Sequence, residues 1–340
     1  MSTPQTGSRG GAVGIKEVAA HAGVSPGTVS NVLNRPERVA DTTRARVEAA
    51  IRELGFVRNG SASSLRAGQG RTVGLMVLDL GNPFFTDLAR GVEDVMSERG
   101  YAVILCSSAT SAEREERNLR MLAEQQVRGV LVTPVDQGPD RLALLRERGV
   151  NAVMLDHPAT RPHQCSVTVD DVSGGHLAVS HLLDTGARDI AYVSGPMSIR
   201  QCADRHAGAL KALEAAGRGT LRHVIVPEMT PRAGQEAAWQ LLGELPDAIF
   251  CANDLLAMGV LRAMLQQGVR VPDRVRLIGY DDIEYATASA VPLSSVRQPT
   301  YRLGRIAAEL LLEECEDPDG HAHQQIMFQP ELVIRESTTS

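Results

Sequence analysis

No run of about 18 apolar residues occurs anywhere in the chain, so no segment has the length that a bilayer-spanning helix requires. Residues 1–12 are polar and lack the apolar core of an export signal, which predicts a disordered tail on a cytoplasmic protein. The five cysteines, Cys106, Cys165, Cys202, Cys251 and Cys315, form no C-x-x-C pair and are odd in number. That excludes a disulfide framework and suits a reducing compartment, with the thiols as small core residues. Nucleotide and metalloprotease signatures are missing too: there is no G-x-G-x-x-G turn, P-loop or H-E-x-x-H, so an enzyme on a doubly wound fold finds no support. No cofactor is expected. His321-Ala322-His323 has a spacing that could touch a metal, yet it sits beside Asp317, Pro318, Asp319 and Gly320 and reads as a solvated pair. Aromatics are only 3% of residues, and the single tryptophan, Trp239, lies in a helical run with Leu241 and Leu242 that reads as core.

What the chain does contain begins at residue 15. Ile15, Val18 and Ala19 share one helical face, Gly23 permits a turn with positive φ, and Val29 and Val32 recur on a second helix that packs back onto the first. Ser25 is placed to cap this second helix, and Pro26 fits its first position, where no amide hydrogen is needed. From Asp41 a third helical pattern runs through Val47, Ala50, Ile51 and Leu54 to a stop at Gly55. The spacing is that of a helix-turn-helix, a shape whose second helix fits the major groove of duplex DNA. An ordinary helical hairpin shares the Ala-x-x-x-Gly element. Charge favours the DNA reading: residues 1–70 hold nine Lys/Arg against five Asp/Glu, a balance of +4 within a total of −6, leaving −10 for the rest. Residues 59–70 are rich in Ser and Gly and too short to hold a helix alone in water, and they read as a hinge that orders conditionally.

Beyond Gly70 short apolar runs alternate with helical stretches, the pattern of a parallel α/β architecture. Strands are predicted at 73–78, 102–106, 130–132, 152–155, 190–193, 224–226, 248–251 and 275–278, with a late helix at 301–312 and a strand region at 326–334. Residues 166–169 and 294–298 look like crossings between two lobes. In such sheets ligands lie beyond the carboxyl ends of the strands. That rule selects Asn82, Phe84 and Phe85 after the first strand, Asp156 after the fourth, Asn253 and Asp254 after 248–251, and Asp281 and Asp282 after 275–278. Arg205, on the helix after 190–193, reaches the same cleft. Carboxylates accept from hydroxyls, a guanidinium donates a fork of bonds, and ring faces stack on sugar C–H faces, so the set suits a polyhydroxylated ligand. Each residue also has a plainer role: Asp254 and Asp282 as helix caps, the phenylalanines as core, Arg205 as a surface partner of Asp204.

Residues 15–68 closely resemble the headpiece and hinge of the lac-repressor/purine-repressor family of bacterial transcription regulators, with 24–34 matching its recognition helix and 42–47 the start of its third helix. The body shares the family's cleft motifs Asn82-Pro83-Phe84-Phe85, Arg205-His206-Ala207-Gly208, Ala252-Asn253-Asp254 and Gly279-Tyr280-Asp281-Asp282. The resemblance implies an N-terminal all-α helix-turn-helix headpiece (13–58), a hinge (59–70), and a periplasmic-binding-protein-like α/β effector domain (71–340) of two doubly wound lobes. The lobes are expected at about 71–167 with 296–325, and 168–295 with 326–337. It places effector contacts at Phe84, Phe85, Asp156, Arg205, Asn253 and Asp281. For DNA it implies contacts from Lys16, Ser25, Pro26, Gly27, Thr28, Ser30, Asn31 and Asn34, and from hinge residues Asn59, Ala62, Leu65 and Arg66. Leu65 matches a leucine that wedges into the minor groove. Pro26 and Gly27 stand where many members carry longer base-reading side chains, which shifts direct readout towards Asn31, a residue able to pair bidentately with adenine. Purine-binding members carry aromatics at His157 and Met229 and an arginine at Ile199, so a sugar effector is expected before a nucleobase. The whole is expected to be a homodimeric repressor of carbohydrate-use genes on a near-palindromic operator. No leucine heptad follows Glu331 to support a coiled-coil tetramer. A nucleobase-responsive co-repressor type, and a transport-type sugar-binding protein, are the alternatives.

Overall fold

The structure is a computed structural model that describes residues 13–56, 70–135, 142–159, 161–318 and 320–339. The hinge positions Asn59, Ala62, Leu65 and Arg66 and the N-terminal tail lie outside the described residues. The chain divides into two compact units, 1–70 and 71–340.

In the first unit α1 (Ile15–Ala22), α2 (Pro26–Asn34) and α3 (Asp41–Leu54) enclose a small core of Val18, Ala19, Ala22, Val29, Val32, Val47 and Ala50. Local chemistry sets the boundaries. Gly23 and Gly55 end α1 and α3 with φ of 63° and 60°, where any side chain would strain the backbone. The Ser25 hydroxyl accepts from the Thr28 amide at 3.1 Å, and Pro26 begins α2 behind that cap.

The second unit holds two six-stranded sheets. The first combines β1 (Thr72–Val77), β2 (Ala102–Ser107), β3 (Gly129–Val132), β4 (Asn151–Leu155), β5 (Ser166–Val169) and β11 (Gln325–Phe328) in the order β11-β5-β4-β3-β1-β2, all parallel. The second combines β6 (Asp189–Ser194), β7 (Thr220–Ile225), β8 (Ala248–Cys251), β9 (Arg276–Asp281), β10 (Ser294–Arg297) and β12 (Glu331–Val333) in the order β12-β10-β9-β8-β6-β7, parallel except for β12. Each sheet reverses its winding beside its first strand, where open α/β sheets bind ligands. The helices are α4 (Pro83–Glu98), α5 (Ala112–Glu124), α6 (Ala143–Glu147), α7 (Asp171–Asp184), α8 (Arg200–Ala216), α9 (Pro231–Leu241), α10 (Asp254–Gln266), α11 (Glu284–Thr287) and α12 (Thr300–Glu316). Central strands such as β3 and β8 are buried along their whole length, which is why they read as continuous apolar runs.

Several boundaries move from the sequence reading, each for a visible reason. Residues 166–169 and 294–297 are strands of the first and second sheets, so the crossings begin just after them, at Asp170 and Gln298. Gln325–Phe328 pairs with β5, which puts 326–328 in the first lobe and the third crossing at Gln329 and Pro330. β7 starts at Thr220 rather than 224, because it pairs only with β6 and its polar Arg222 and His223 hide the strand from an apolar-run criterion. β9 runs on to Asp281, since Tyr280 is a fully buried strand residue. Trp239 is 51% exposed and not core: the buried stripe of α9 is Ala233, Gly234, Ala237, Ala238 and Leu241, and position 239 falls off it.

Three helix pairs cross through facing glycines. A Cβ on Gly175 of α7 would overlap the Arg205 carbonyl of α8, and one on Gly208 would overlap the Val172 carbonyl in return. Gly91 and Gly304 do the same between α4 and α12, as do Gly234 and Gly259 between α9 and α10.

Candidate functional site

A cavity of about 210 Å³ lies at the carboxyl ends of the strands of both sheets. It is lined by Phe84, Phe85, Asp156, Arg205, Asn253 and Asp281, and also by Ile199, Gln201, Met229 and Thr230. A water's share of liquid is about 30 Å³, so this is room for roughly seven waters or one small ring. The six effector contacts that the resemblance implies converge on one space, and Asn82 joins them, whereas Asp254 and Asp282, also picked from strand ends, do not line it. Asn253, Asp254 and Asp282 divide the duties that were open: Asn253 caps α10 by accepting from the Leu256 amide at 2.9 Å, whereas Asp254 accepts from the Ser295 hydroxyl at 2.7 Å and the Ile283 amide at 2.9 Å. Asp282 sits between Arg297 and Arg335, at 2.7 and 2.6 Å.

Arg205 is not a surface partner of Asp204, which pairs with Arg200 instead. Its Nε donates to Asp171 Oδ1 at 2.7 Å, Nη1 donates to the Ala252 carbonyl at 2.5 Å, and its plane lies 3.6 Å from the centroid of the Tyr280 ring. The same Nη1 lies 3.9 Å from Asp281. A cation so enclosed is held by charge, hydrogen bond and ring face together.

Two carboxylates reach across the cleft. Asp281, at the end of β9, accepts from Asn82 Nδ2 at 3.0 Å and Gln298 Nε2 at 2.8 Å. Asp156, after β4, accepts from Gln201 Nε2 at 2.9 Å through one oxygen; the other, Oδ1, is buried with no hydrogen-bond partner. Asn82 belongs to the first lobe and Asp281 to the second, while Asp156 and Gln201 reverse that arrangement. Asp156 and Asp281 have φ of 52° and 98°, a region costly for non-glycine residues and common at ligand clamps. The sequence reading did not single out Gln201, Gln298 or the Asp171 partner of Arg205. His157, read as a position of interest, is buried with Nδ1 facing the Pro158 carbonyl at 2.8 Å, while Met229 and Ile199 line the cavity.

Burial pushes the Asp281 carboxyl up to about 6, with Arg205, Asn82 and Gln298 opposing the shift. Burial also raises Asp156 and Asp254 well above the usual carboxylate range. A raised folded-state value contributes stability that is full below the unfolded carboxylate range and lost as pH rises through about 6. Asp281→Asn should therefore flatten the fall in stability between about pH 4 and 6, by on the order of 3 kcal/mol at most, as read by denaturant melts across that window. Gln298 Oε1 has no partner and can turn to accept from the new amide, so the variant keeps its hydrogen bonds.

In the first unit Lys16, Pro26, Gly27 and Asn31 are exposed, and Thr28 and Ser30 half-buried. The Ser25 and Thr28 hydroxyls lie 2.9 Å apart at the start of α2, and Asn34 Nδ2 donates to the Ser30 carbonyl at 2.8 Å. These bonds fix α2 and leave Lys16 and Asn31 to reach outward.

Comparison with known proteins agrees with this layout. Residues 14–59 match the family described as "Bacterial regulatory proteins, lacI family", and residues 179–338 match "Periplasmic binding protein-like domain". The chain is 37% identical over 327 residues to an HTH-type transcriptional repressor PurR from Photobacterium profundum, covering 95% of this chain and 98% of that one. Among solved structures it is similar to the lac repressor dimer bound to operator and the anti-inducer ONPF, with a TM-score of 0.83, 28% identity, and coverage of 97% and 100%. It is also similar to a transcriptional regulator CelR–cellobiose complex, with a TM-score of 0.71, 33% identity, and coverage of 96% and 99%. A helix-turn-helix reader followed by a two-sheet binding domain defines the class: this is a DNA-binding transcriptional repressor. The chain belongs to the lacI family of bacterial regulatory proteins. Among the described residues no helix is long and apolar enough to cross a membrane.

Proposed function

We propose that this repressor works as a homodimer in the cytoplasm, holding a near-palindromic operator through two headpieces and sensing a small sugar-type effector in the cleft of each chain. The observation that carries the effector class is the stock of acceptors: a buried Asp156 oxygen with no partner, and an Asp281 carboxylate held by two amides. Sugar hydroxyls donate to such acceptors, and Phe84 and Phe85 offer ring faces beside them. Arg205 has its Nε and one Nη already engaged, so it orients the site and offers a ligand only its remaining N–H groups. Ligand bridging Asp156 and Asp281 changes the relation of the lobes, and operator affinity follows by differential affinity for the two arrangements, typically about 1–3 kcal/mol. Base readout falls to Asn31 and Lys16, and register to phosphate contacts from Ser25, Thr28, Ser30 and Asn34 with close backbone approach at Pro26 and Gly27. Asn59, Ala62, Leu65 and Arg66 supply the hinge contacts. No catalytic step is assigned.

A nucleobase is the second reading, favoured by the PurR name of the 37% identical relative. Against it, Ile199 and Met229 line the cavity where purine-binding members resembled by this sequence carry an arginine and an aromatic. Thermal melts of the full chain with a panel of sugars and purine bases decide between them. A matching sugar at about 100 times its Kd should stabilise the protein by about 2.7 kcal/mol, and Asp156→Asn should weaken that binding at least tenfold. Stabilisation by bases alone would replace the sugar with a base; binding untouched by Asp156→Asn would remove the bridging carboxylate from the mechanism.

A further inference from the structure

A second cluster of chemistry-bearing side chains lies away from the cleft, where the last turn of α12 and the loop before β11 meet the start of β5. Cys165 precedes β5, Glu314 lies in the last turn of α12, and His321 and His323 occupy the loop. One ligand atom from each of the four lies within 4.8 Å of every other. Cys165 Sγ is 3.1 Å from His321 Nε2 and 3.7 Å from His323 Nδ1. In a tetrahedral zinc site, bonds of about 2.0–2.3 Å put ligand atoms roughly 3.3–3.7 Å apart, so the sulfur–nitrogen distances are already near these values and the other pairs close from within 4.8 Å.

We propose that Cys165, Glu314, His321 and His323 form a structural site for a zinc-type divalent ion, which clasps the loop before β11 to the body of the first lobe. The donor set is one sulfur, two imidazole nitrogens and one carboxylate oxygen. That mixture selects Zn²⁺ and its analogues over the oxygen-seeking Mg²⁺ and Ca²⁺. On binding, the Cys165 thiol gives its proton to solvent and the thiolate takes the metal, both histidines binding as neutral rings.

Four observations beyond proximity support the site. The Glu314 Oε2 atom is buried without a hydrogen-bond partner, a cost that a cation would relieve. The His321 side chain is only 4% exposed, although its loop is polar and reads in the sequence as solvated. Its Nε2 faces Cys165 while Nδ1 faces Glu313 at 3.8 Å, the outer carboxylate that commonly orients a metal-bound histidine. The Gln324 amide also donates towards Cys165 Sγ at 3.4 Å, a bond that would support a metal-bound thiolate against the burial that pushes the free thiol up. A Cys–His hydrogen bond alone accounts for the sulfur and one ring but leaves the Glu314 oxygen stranded. None of the four residues lines the cleft. Among the described residues β11 is the outer strand of its sheet and pairs only with β5, and the ion would pin both the loop that delivers it and the residue just before its partner.

The test uses the full chain without an affinity tag, stripped by a chelator and titrated with Co²⁺. Uptake of one equivalent per chain is expected, with the visible bands of tetrahedral cobalt and a thiolate-to-cobalt charge-transfer band, both removed by Zn²⁺. Zn²⁺ should raise the melting temperature of the stripped protein. His323→Ala, at an exposed position, should lower Co²⁺ affinity at least tenfold while leaving the metal-free melt unchanged. Cys165→Ser should abolish the charge-transfer band. The proposal is overturned by the lack of stoichiometric uptake, by bound cobalt without the sulfur band, or by undiminished affinity in His323→Ala. That last variant keeps the test decisive even where Cys165→Ser fails to fold.

Discussion

Arg205→Ala should destabilise the effector domain by roughly 3–5 kcal/mol, a larger effect than its place in a ligand cleft suggests. The reason is the company it keeps. Asp171 is 6% exposed and receives the Arg205 Nε at 2.7 Å, so truncation leaves a buried carboxylate without its cation. The Ala252 carbonyl loses its donor, Tyr280 loses the plane stacked 3.6 Å from its centroid, and Asp281 loses the charge that offsets its burial. Adding Asp171→Asn to the same chain should recover much of the loss, because it removes the stranded charge without restoring the arginine. Denaturant melts of the single and double variants check both statements. A melt of Arg205→Ala equal to that of the parent would mean that water reaches Asp171 freely, and the enclosed-cation account would fail. Operator binding by the folded fraction should persist, since the headpiece has its own core of Val18, Val29, Val32 and Val47.

Gly208→Ala should be among the most disruptive single methyls in the second lobe. Its Cβ would overlap the backbone carbonyl of Val172, and Gly175 across the crossing stands against the carbonyl of Arg205, so no flexible side chain can yield. Overpacking usually costs about 1–3 kcal/mol, and a backbone contact belongs at the upper end. The consequence reaches function as well as stability. α8 carries both Gln201 and Arg205, so pushing it from α7 displaces the donor to Asp156 and the partner of Asp171 together. Effector affinity should fall along with the melting temperature. An exposed control on the same helix, Leu210→Ala, should alter neither by more than about 0.5 kcal/mol. Equal effects at positions 208 and 210 would remove close helix approach as the cause.

The parts legible in the sequence are those whose physics is local. Ser25, Pro26 and Gly23 announce a cap, a first turn and a stop within four residues, and the fully buried parallel strands announce themselves as apolar runs. Asp156, Asn253 and Asp281 were reachable because strand ends in open α/β sheets gather ligand groups by topology. What sequence could not supply is pairing at a distance. Asn82 and Asp281 are bonded across 199 positions, and Arg205 and Asp171 across 34, with no periodicity to link them. Nor does a polar loop disclose that His321 folds inward onto Cys165, 156 positions away. Trp239 is the opposite case: strict 3.6-residue phasing against Ala237, Ala238 and Leu241 would have placed it outside, but its hydrophobicity outweighed the phase.

The paired amides in the cleft set a condition on any molecule that enters. Asn82 and Gln201 are tethered competitors for the same acceptor oxygens, present at the high effective concentration that attachment to the chain confers. A visitor offering one donor to an oxygen already taken only trades places with an amide and gains little, and the open Asp156 Oδ1 by itself holds it to one lobe. One that engages both acids at once frees two side chains from opposite halves together, so discrimination against fragments is already built into the way the protein bonds to itself.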